Sequence, residues 1–105
     1  METDKNAFSQ NAEEQKHYKF TLFVAGNEPN SMMAKKNLTE LCEQELKGMA
    51  RIRIVDVMED FDTAAQHNIL LTPTLLIQNT GPDVMVIGNL NNRNKVRAAL
   101  HLPWE

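Results

Sequence analysis

Asn27 and Asn30 bracket Glu28 and Pro29 in a turn that follows an apolar, β-branched run and precedes a segment with helical spacing. In an α/β protein, a thiol–disulfide oxidoreductase carries Cys-x-x-Cys in such a turn, because backbone N–H groups and the helix dipole stabilise a thiolate. The two asparagines occupy that i, i+3 spacing, and asparagine has no redox chemistry. The turn therefore has the spacing of a redox site without its nucleophile.

The same turn also predicts how the following helix begins. Gly26 is expected to have a structural role in reversing the chain. Asn30 or Ser31 is expected to be the N-cap, because short polar side chains are preferred there. Thr72-Pro73 precedes another apolar run. In a thioredoxin-like fold, a proline at this point is usually cis and lies beside such a turn, so a resemblance to that fold implies a cis bond at Pro73, where it costs least. A trans proline that starts a strand is the alternative.

Other residues with reactive side chains give weaker signals. Cys42 is the single cysteine of the chain, so no intrachain disulfide can form, and its helical spacing from Leu38 and Leu41 predicts a small core residue. The three histidines, His17, His67 and His101, are too widely separated to form a ligand pair. The sequence contains no glycine-rich nucleotide-binding pattern. We therefore predict no metal and no cofactor.

The elements that position these residues alternate along the chain. The pattern predicts strands over 18–25, 51–57, 72–78 and 83–88, and helices over 30–48, 59–67 and 91–102. In the first helix, the apolar positions are Met33, Leu38, Leu41, Cys42 and Leu46, with Gly48 as the C-cap. In the last helix they are Val96, Ala99 and Leu100, with Pro103 as the stop.

Strand 51–57 alternates arginines with isoleucines at its start. Arg51 and Arg53 share one face, whereas Ile52 and Ile54 share the other. This pattern is typical of an edge strand. A strand–helix–strand unit followed by a hairpin predicts a β-α-β-α-β-β-α, thioredoxin-like α/β fold with a mixed four-stranded sheet of order 2-1-3-4.

Composition limits the classes of function. The chain of 105 residues is 42% hydrophobic, enough for one domain at 18–105, while the polar residues 1–17 predict a disordered tail. With a net charge of −3 and no basic cluster, we predict no nucleic-acid partner. No apolar run reaches the roughly 20 residues of a membrane span, and no secretory signal is visible, so we expect a cytoplasmic protein.

Five stretches, taken together, resemble the KaiB family of circadian-clock proteins. They are VAGNEPNS, LCEQELKG, IRIVDV, ILLTPTLL and IGNLNNRNKV, in matching order and spacing over about residues 18–102. The resemblance implies a thioredoxin-like, non-enzymatic regulator that binds KaiC, a ring-shaped ATPase with autokinase activity. It also implies a relation to the sensory domain of the SasA kinase, and it leaves a homo-oligomer, dimer or tetramer, open.

The chain departs from the family pattern at two places. Family members usually read Gly-Asp-Leu-Ser where this chain has Gly88-Asn89-Leu90-Asn91, and Ala99 stands where a family glycine is usual. The family also exchanges the thioredoxin-like state for a rearranged, tetrameric one, and alanine favours the helix of the former by about 1 kcal/mol. Ala99 is therefore expected to have a structural role in favouring the thioredoxin-like state.

Three functions from different classes remain open. The first is a regulator of a KaiC-type ATPase in circadian or stress-related signalling, the second a thioredoxin- or glutaredoxin-type oxidoreductase, and the third a detached kinase sensory domain. The missing cysteines at 27 and 30 disfavour the second. Because loops and sheet edges expose groups that a partner can recognise, the expected partner-binding residues are Asn27, Pro29, Asn30, Arg51, Arg53, Pro73, Gly88 and Asn89.

Overall fold

A computed structural model gives the fold, and it describes residues 18–78 and 81–101. The predicted tail at 1–17 and Pro103 lie outside the described residues. Within them the elements follow in the predicted order: β1 (Tyr18–Val24), α1 (Pro29–Leu41), a π-helical turn (Cys42–Leu46), β2 (Ala50–Asp56), α2 (Phe61–Gln66), β3 (Thr74–Gln78), β4 (Val84–Ile87) and α3 (Arg93–Ala99).

The sheet has the predicted order, β2-β1-β3-β4. β1 is parallel to β2 and antiparallel to β3, which is antiparallel to β4. Val24 is in register with Asp56, and Thr74 with both Phe23 and Ile87. β1, β2 and β4 therefore end, and β3 begins, at the same end of the sheet, which we name the loop end.

Helices cover both faces of the sheet unequally. One face packs against α1, the π-helical turn and α3, and forms the larger core; its fully buried members include Phe20, Leu22, Leu38, Leu75 and Val96. On the other face, Phe23, Val55 and Leu76 pack against Ala64 of α2. Ile52 and Ile54 on β2 remain exposed. The prediction that this strand lies at an edge of the sheet is confirmed.

The first helix differs from its prediction in three respects. Met33 is exposed, and Ala34 occupies the buried position instead. The α-helix ends at Leu41, and a π-helical turn carries Leu46 back to the core, with Lys47 N–H donating to the Cys42 carbonyl at 2.9 Å. Lys47, at φ 33°, is the left-handed C-cap, so the assignment of Gly48 to that position was wrong by one residue.

Candidate functional site

The turn after β1 is tied to the end of β2. Gly26 has φ +52°, a left-handed conformation that favours glycine, and its N–H donates to Asp56 Oδ1 at 3.1 Å. The same oxygen accepts from Met58 N–H at 3.0 Å. The structural role of Gly26 stays a prediction, which this geometry supports. The part played by Asp56 was missed, and only its position as the last residue of β2 could have suggested it.

Glu28, rather than Asn30 or Ser31, caps α1. Its Oε1 accepts from Ser31 N–H at 2.9 Å and from Ser31 Oγ at 3.0 Å, while Oε2 accepts from Asn30 N–H at 3.2 Å. Ser31 is buried, and its Oγ accepts from Ala25 N–H at 3.1 Å. Glutamate is not a preferred N-cap, but its longer side chain reaches back over the proline at the first helical position.

The Glu28 cap also sets the charge at the start of α1. Desolvation raises the pKa of Glu28, but the hydrogen bonds from Ser31 and Asn30 together lower it by a larger amount. The pKa of Glu28 therefore lies below its usual value. The group is therefore an anion at neutral pH. A carboxylate satisfies the helix N-terminus where an oxidoreductase would hold its thiolate.

Pro73 joins two loops at the same end of the sheet. The Thr72-Pro73 bond is cis, as predicted, and Pro73 is buried. Its carbonyl accepts from Gly88 N–H at 2.9 Å, and the next residue, Thr74, donates through Oγ1 to the Leu71 carbonyl at 2.6 Å. The loop before β3 is thus fixed against the turn that follows β4.

Asn89 links that turn to α1. Its Nδ2 lies 3.4 Å from Asn30 Oδ1, and its carbonyl accepts from Asn37 Nδ2 at 2.9 Å. Its own Oδ1 accepts from Asn91 N–H at 2.9 Å, which closes a local turn. The departure from the family pattern at this residue therefore coincides with a polar bridge between the two halves of the chain.

The structure brings six of the eight predicted binding residues to the loop end. Asn27, Pro29 and Asn30 are exposed there. Pro73 directly precedes Thr74 of β3, and Gly88 and Asn89 directly follow Ile87 of β4, so all three lie at the same end of the sheet.

Arg51 and Arg53 belong to a different surface. They are exposed on β2, in register with Lys19 and Thr21, and precede Asp56 by five and three residues. At about 3.3 Å per residue, they lie roughly 17 and 10 Å from the loop end. The eight residues therefore form two surfaces, the loop end and the outer edge of the sheet.

The cysteine lies apart from both surfaces. Cys42 is thirteen residues beyond the start of α1, or about 20 Å along the helix. Burial, together with the charge of Glu43, raises the pKa of its thiol to about 11. Such a thiol is almost wholly protonated at neutral pH and is a poor nucleophile.

No metal-binding group was found in residues 18–78 and 81–101, where no three His, Cys, Asp or Glu side chains are arranged to hold an ion. In the same part of the chain, no helix has the length and apolar character needed to cross a membrane. What the loop end offers is a set of exposed amides, a proline and one carboxylate on a hydrogen-bonded frame. Such a set can recognise a partner by shape and hydrogen bonding.

Comparison with protein families identifies the family to which the chain belongs. The family model described as the KaiB domain matches residues 21–102. The chain belongs to the KaiB family. Circadian clock oscillator protein KaiB of Thermostichus vulcanus is 41% identical over 90 residues, which cover 86% of this chain and 83% of that protein. The KaiB protein of Trichodesmium erythraeum is also 41% identical over 90 residues, with 86% of each chain covered.

Solved structures confirm the thioredoxin-like fold. The thioredoxin Deadhead of Drosophila melanogaster superposes with a TM-score of 0.68, covering 96% of this chain and 92% of its own. The two sequences are 12% identical, so the likeness concerns the fold alone. The resemblance to KaiB inferred from VAGNEPNS and the other four stretches is thus confirmed, as is the fold class.

Proposed function

We propose that this KaiB-family chain is a non-enzymatic regulator that acts in the cytoplasm by binding and modulating a KaiC-type ATPase with autokinase activity, in circadian or stress-related signalling. The observation that carries the proposal is the turn Asn27-Glu28-Pro29-Asn30, which keeps the fold's active-site position beside cis-Pro73 but places amides where a thiol enzyme needs sulfur. The clock-protein relatives support the choice of partner.

The binding surface in this proposal combines the loop end with the outer edge of β2. Asn27 and Asn30 are exposed, yet the backbone that carries them is held by Asp56 and Glu28. A preorganised loop loses little conformational freedom on binding, which favours affinity. β2 adds an outermost strand, a surface that many partners recognise through main-chain hydrogen bonds.

Binding to a KaiC-type ATPase from the same genome tests the proposal. The wild-type chain should retain the ATPase in a pull-down and change its rate of ATP hydrolysis. The double variant N27A/N30A should bind about tenfold more weakly, because it removes two exposed amides while Glu28 still caps the helix. Arg53→Glu should weaken binding through the edge.

Lys36→Ala is the matched control, since Lys36 is exposed in the middle of α1. Absence of wild-type binding would refute the proposal. Unchanged binding by folded N27A/N30A would remove the loop end from it, and unchanged binding by folded Arg53→Glu would remove the β2 edge.

An insulin-reduction assay tests the non-enzymatic part. We expect no turnover, because positions 27 and 30 are asparagines and the pKa of Cys42 is raised to about 11. Turnover that disappears in Cys42→Ser would show that the chain is an oxidoreductase after all.

A further inference from the structure

The four most exposed large apolar side chains in the described part of the chain all lie between β2 and β3. They are Leu70 (90% exposed), Met58 (76%), Phe61 (71%) and Leu71 (59%). Single exposed apolar residues are normal on a protein surface, whereas a group of them marks an interaction site. We name these four residues the apolar surface.

The topology places the apolar surface at the loop end. Met58 lies two residues beyond the end of β2, Phe61 is the first residue of α2, and Leu71 lies two residues before cis-Pro73. β2 and β3 flank β1 on either side, so their ends are two strand spacings, or about 10 Å, apart. The six residues of α2 span about 9 Å between Phe61 and the segment that leads to Leu70. One partner segment of a few helical turns could contact all four side chains.

Carboxylates flank the part of the apolar surface that contains Met58 and Phe61. Between Asp56 and Pro73 the sequence contains Asp56, Glu59, Asp60 and Asp62, and neither lysine nor arginine. Glu59 and Asp62 are exposed. Arg53, on the neighbouring part of β2, is close enough to help lower the pKa of Asp60, after the larger effect of the hydrogen bonds from Thr63. The centre of the surface is therefore apolar and its rim is mainly acidic.

We propose that the apolar surface docks a basic amphipathic segment of a partner protein, with apolar side chains on one face flanked by lysine or arginine. The acidic rim carries this choice, because it attracts cations and repels anions over the distances at which segments meet. A second copy of this chain would bring acidic rim against acidic rim. Residues 1–17 contain four acidic and two basic residues, so their net negative charge would also be repelled by the acidic rim.

The proposal goes beyond the proposed function, since it specifies the chemistry of a bound segment whether or not that segment belongs to a KaiC-type ATPase. It also separates this surface from Asn27 and Asn30, whose amides carry no charge. The two surfaces adjoin at the loop end but are distinguishable by mutation and by salt.

An NMR titration of the full chain tests the proposal directly. The probe is a synthetic helical peptide of about four turns, with leucine on one face and lysine on the other. A matched peptide with glutamate in place of lysine and a peptide of residues 1–17 are the acidic arms. The basic peptide should shift the amide resonances of residues 58–71, and its affinity should fall as salt is raised.

Two variants divide the apolar from the electrostatic contribution. F61S/L70S should lower the affinity for the basic peptide about tenfold. E59Q/D62N should lower that affinity about threefold and reduce its dependence on salt. Both replace exposed side chains, and Asp60 is left in place because it caps α2 through Thr63 N–H. M33S/M49S is the matched control, since Met33 and Met49 are exposed away from the stretch between β2 and β3.

Several results would overturn the proposal. Equal or stronger shifts with either acidic peptide, shifts confined to other residues, or unchanged affinity in F61S/L70S would each do so. Self-association of the wild type that F61S/L70S abolishes would identify a second copy as the occupant instead. These readouts use peptides and the chain alone, so a negative result leaves the ATPase pull-down to judge the proposed function separately.

Discussion

Helices α1 and α3 cover the same face of the sheet but are held there by different interactions. α1 has thirteen residues, and Leu38 and Leu41 on it are buried in the larger core. α3 has seven residues and combines a short apolar contact with a polar one. Its Arg97 is buried and donates through Nε to Glu45 Oε1 at 2.8 Å, with a second bond from Nη2 to Oε2.

The difference shows how the π-helical turn contributes to the fold. Glu45 lies within that turn, and it accepts hydrogen bonds from Arg93 as well as Arg97. Arg97 Nη1 also donates to Asn94 Oδ1 at 3.1 Å, within α3 itself. Apolar burial is nondirectional and tolerates small shifts, whereas the directional hydrogen bonds of this cluster tie α3 to the Glu45 carboxylate.

The largest effect should come from α1. Leu38→Ala should lower the free energy of unfolding by about 2–5 kcal/mol, because it removes a fully buried side chain and leaves a cavity. Met33→Ala on the same helix is the control and should change it by less than about 0.5 kcal/mol, since Met33 is exposed. Urea denaturation of both variants measures the difference, and equal losses would contradict the assignment of the buried face.

The next effect should come from the polar attachment of α3. Glu45→Gln should cost about 1–3 kcal/mol, because it removes the carboxylate charge that pairs with the buried Arg97 guanidinium. Glu43→Gln, an exposed neighbour in the same turn, should be close to neutral. In Glu45→Gln, hydrogen exchange should accelerate at the Leu100 N–H, which bonds to the Val96 carbonyl, before it does in α1. Equal acceleration in both helices would mean that the cluster does not hold α3 specifically.

Low pH should abolish the stabilisation that the Glu45 carboxylate gives to α3. The hydrogen bond from Arg97 lowers the pKa of Glu45 below its usual 4.5, outweighing the opposite effect of desolvation, and the charges of Arg97 and Arg93 add to it. The folded-state pKa is below the unfolded one, so the stabilisation is fully present above about pH 4.5 and is lost as the pH falls through the folded-state value.

The difference in unfolding free energy between wild type and Glu45→Gln should therefore be constant near neutral pH and shrink below pH 4.5. Glu28 and Asp60, whose pKa values are also lowered, are present in both proteins and cancel in the difference. A difference that persists undiminished at low pH would show that the charge of Glu45 is not what stabilises α3.

The sequence predicts the strands better than the helices in this comparison. The alternation of polar and apolar residues, together with the turn residues, correctly predicted the sheet order and the edge position of β2. The Thr72-Pro73 dipeptide correctly predicted the cis bond. A strict 3.6-residue period failed in the first helix, because Leu41 and Leu46 are five residues apart and need a π-helical turn to share a face. That spacing is the one sequence signal that could have revealed the turn.

The candidate site was predictable where it depends on turns and not where it depends on long side chains. Gly26, Pro73 and Gly88 occupy loops that their residue types favour. Glu28 as a cap makes local contacts but departs from the usual N-cap preference. Arg97 as a buried partner of Glu45 requires a tertiary contact that no local preference encodes. The exposure of Phe61 and Leu70 was equally hidden, since apolar residues in a sequence are expected to be buried.

The smallest effect should come from the last residue of α3. Ala99 ends the helix and packs, half-buried, against the larger core. We propose that the thioredoxin-like arrangement is the resting form and that Ala99, in place of the usual family glycine, favours it.

Ala99→Gly should lower the stability of this form by at most about 1 kcal/mol, or roughly fivefold in population, and by less at a helix end than in its interior. Carbon chemical shifts of Val96 to Leu100 measure the outcome: weakened helical shifts are expected in Ala99→Gly, with Ala98→Gly, exposed on the same helix, as the control for propensity alone. Strand-type shifts over these residues in the wild type would instead show that the resting fold is the rearranged one. With only seven residues, a short apolar contact and the Glu45 cluster, α3 is the element of this chain that a few kcal/mol could displace.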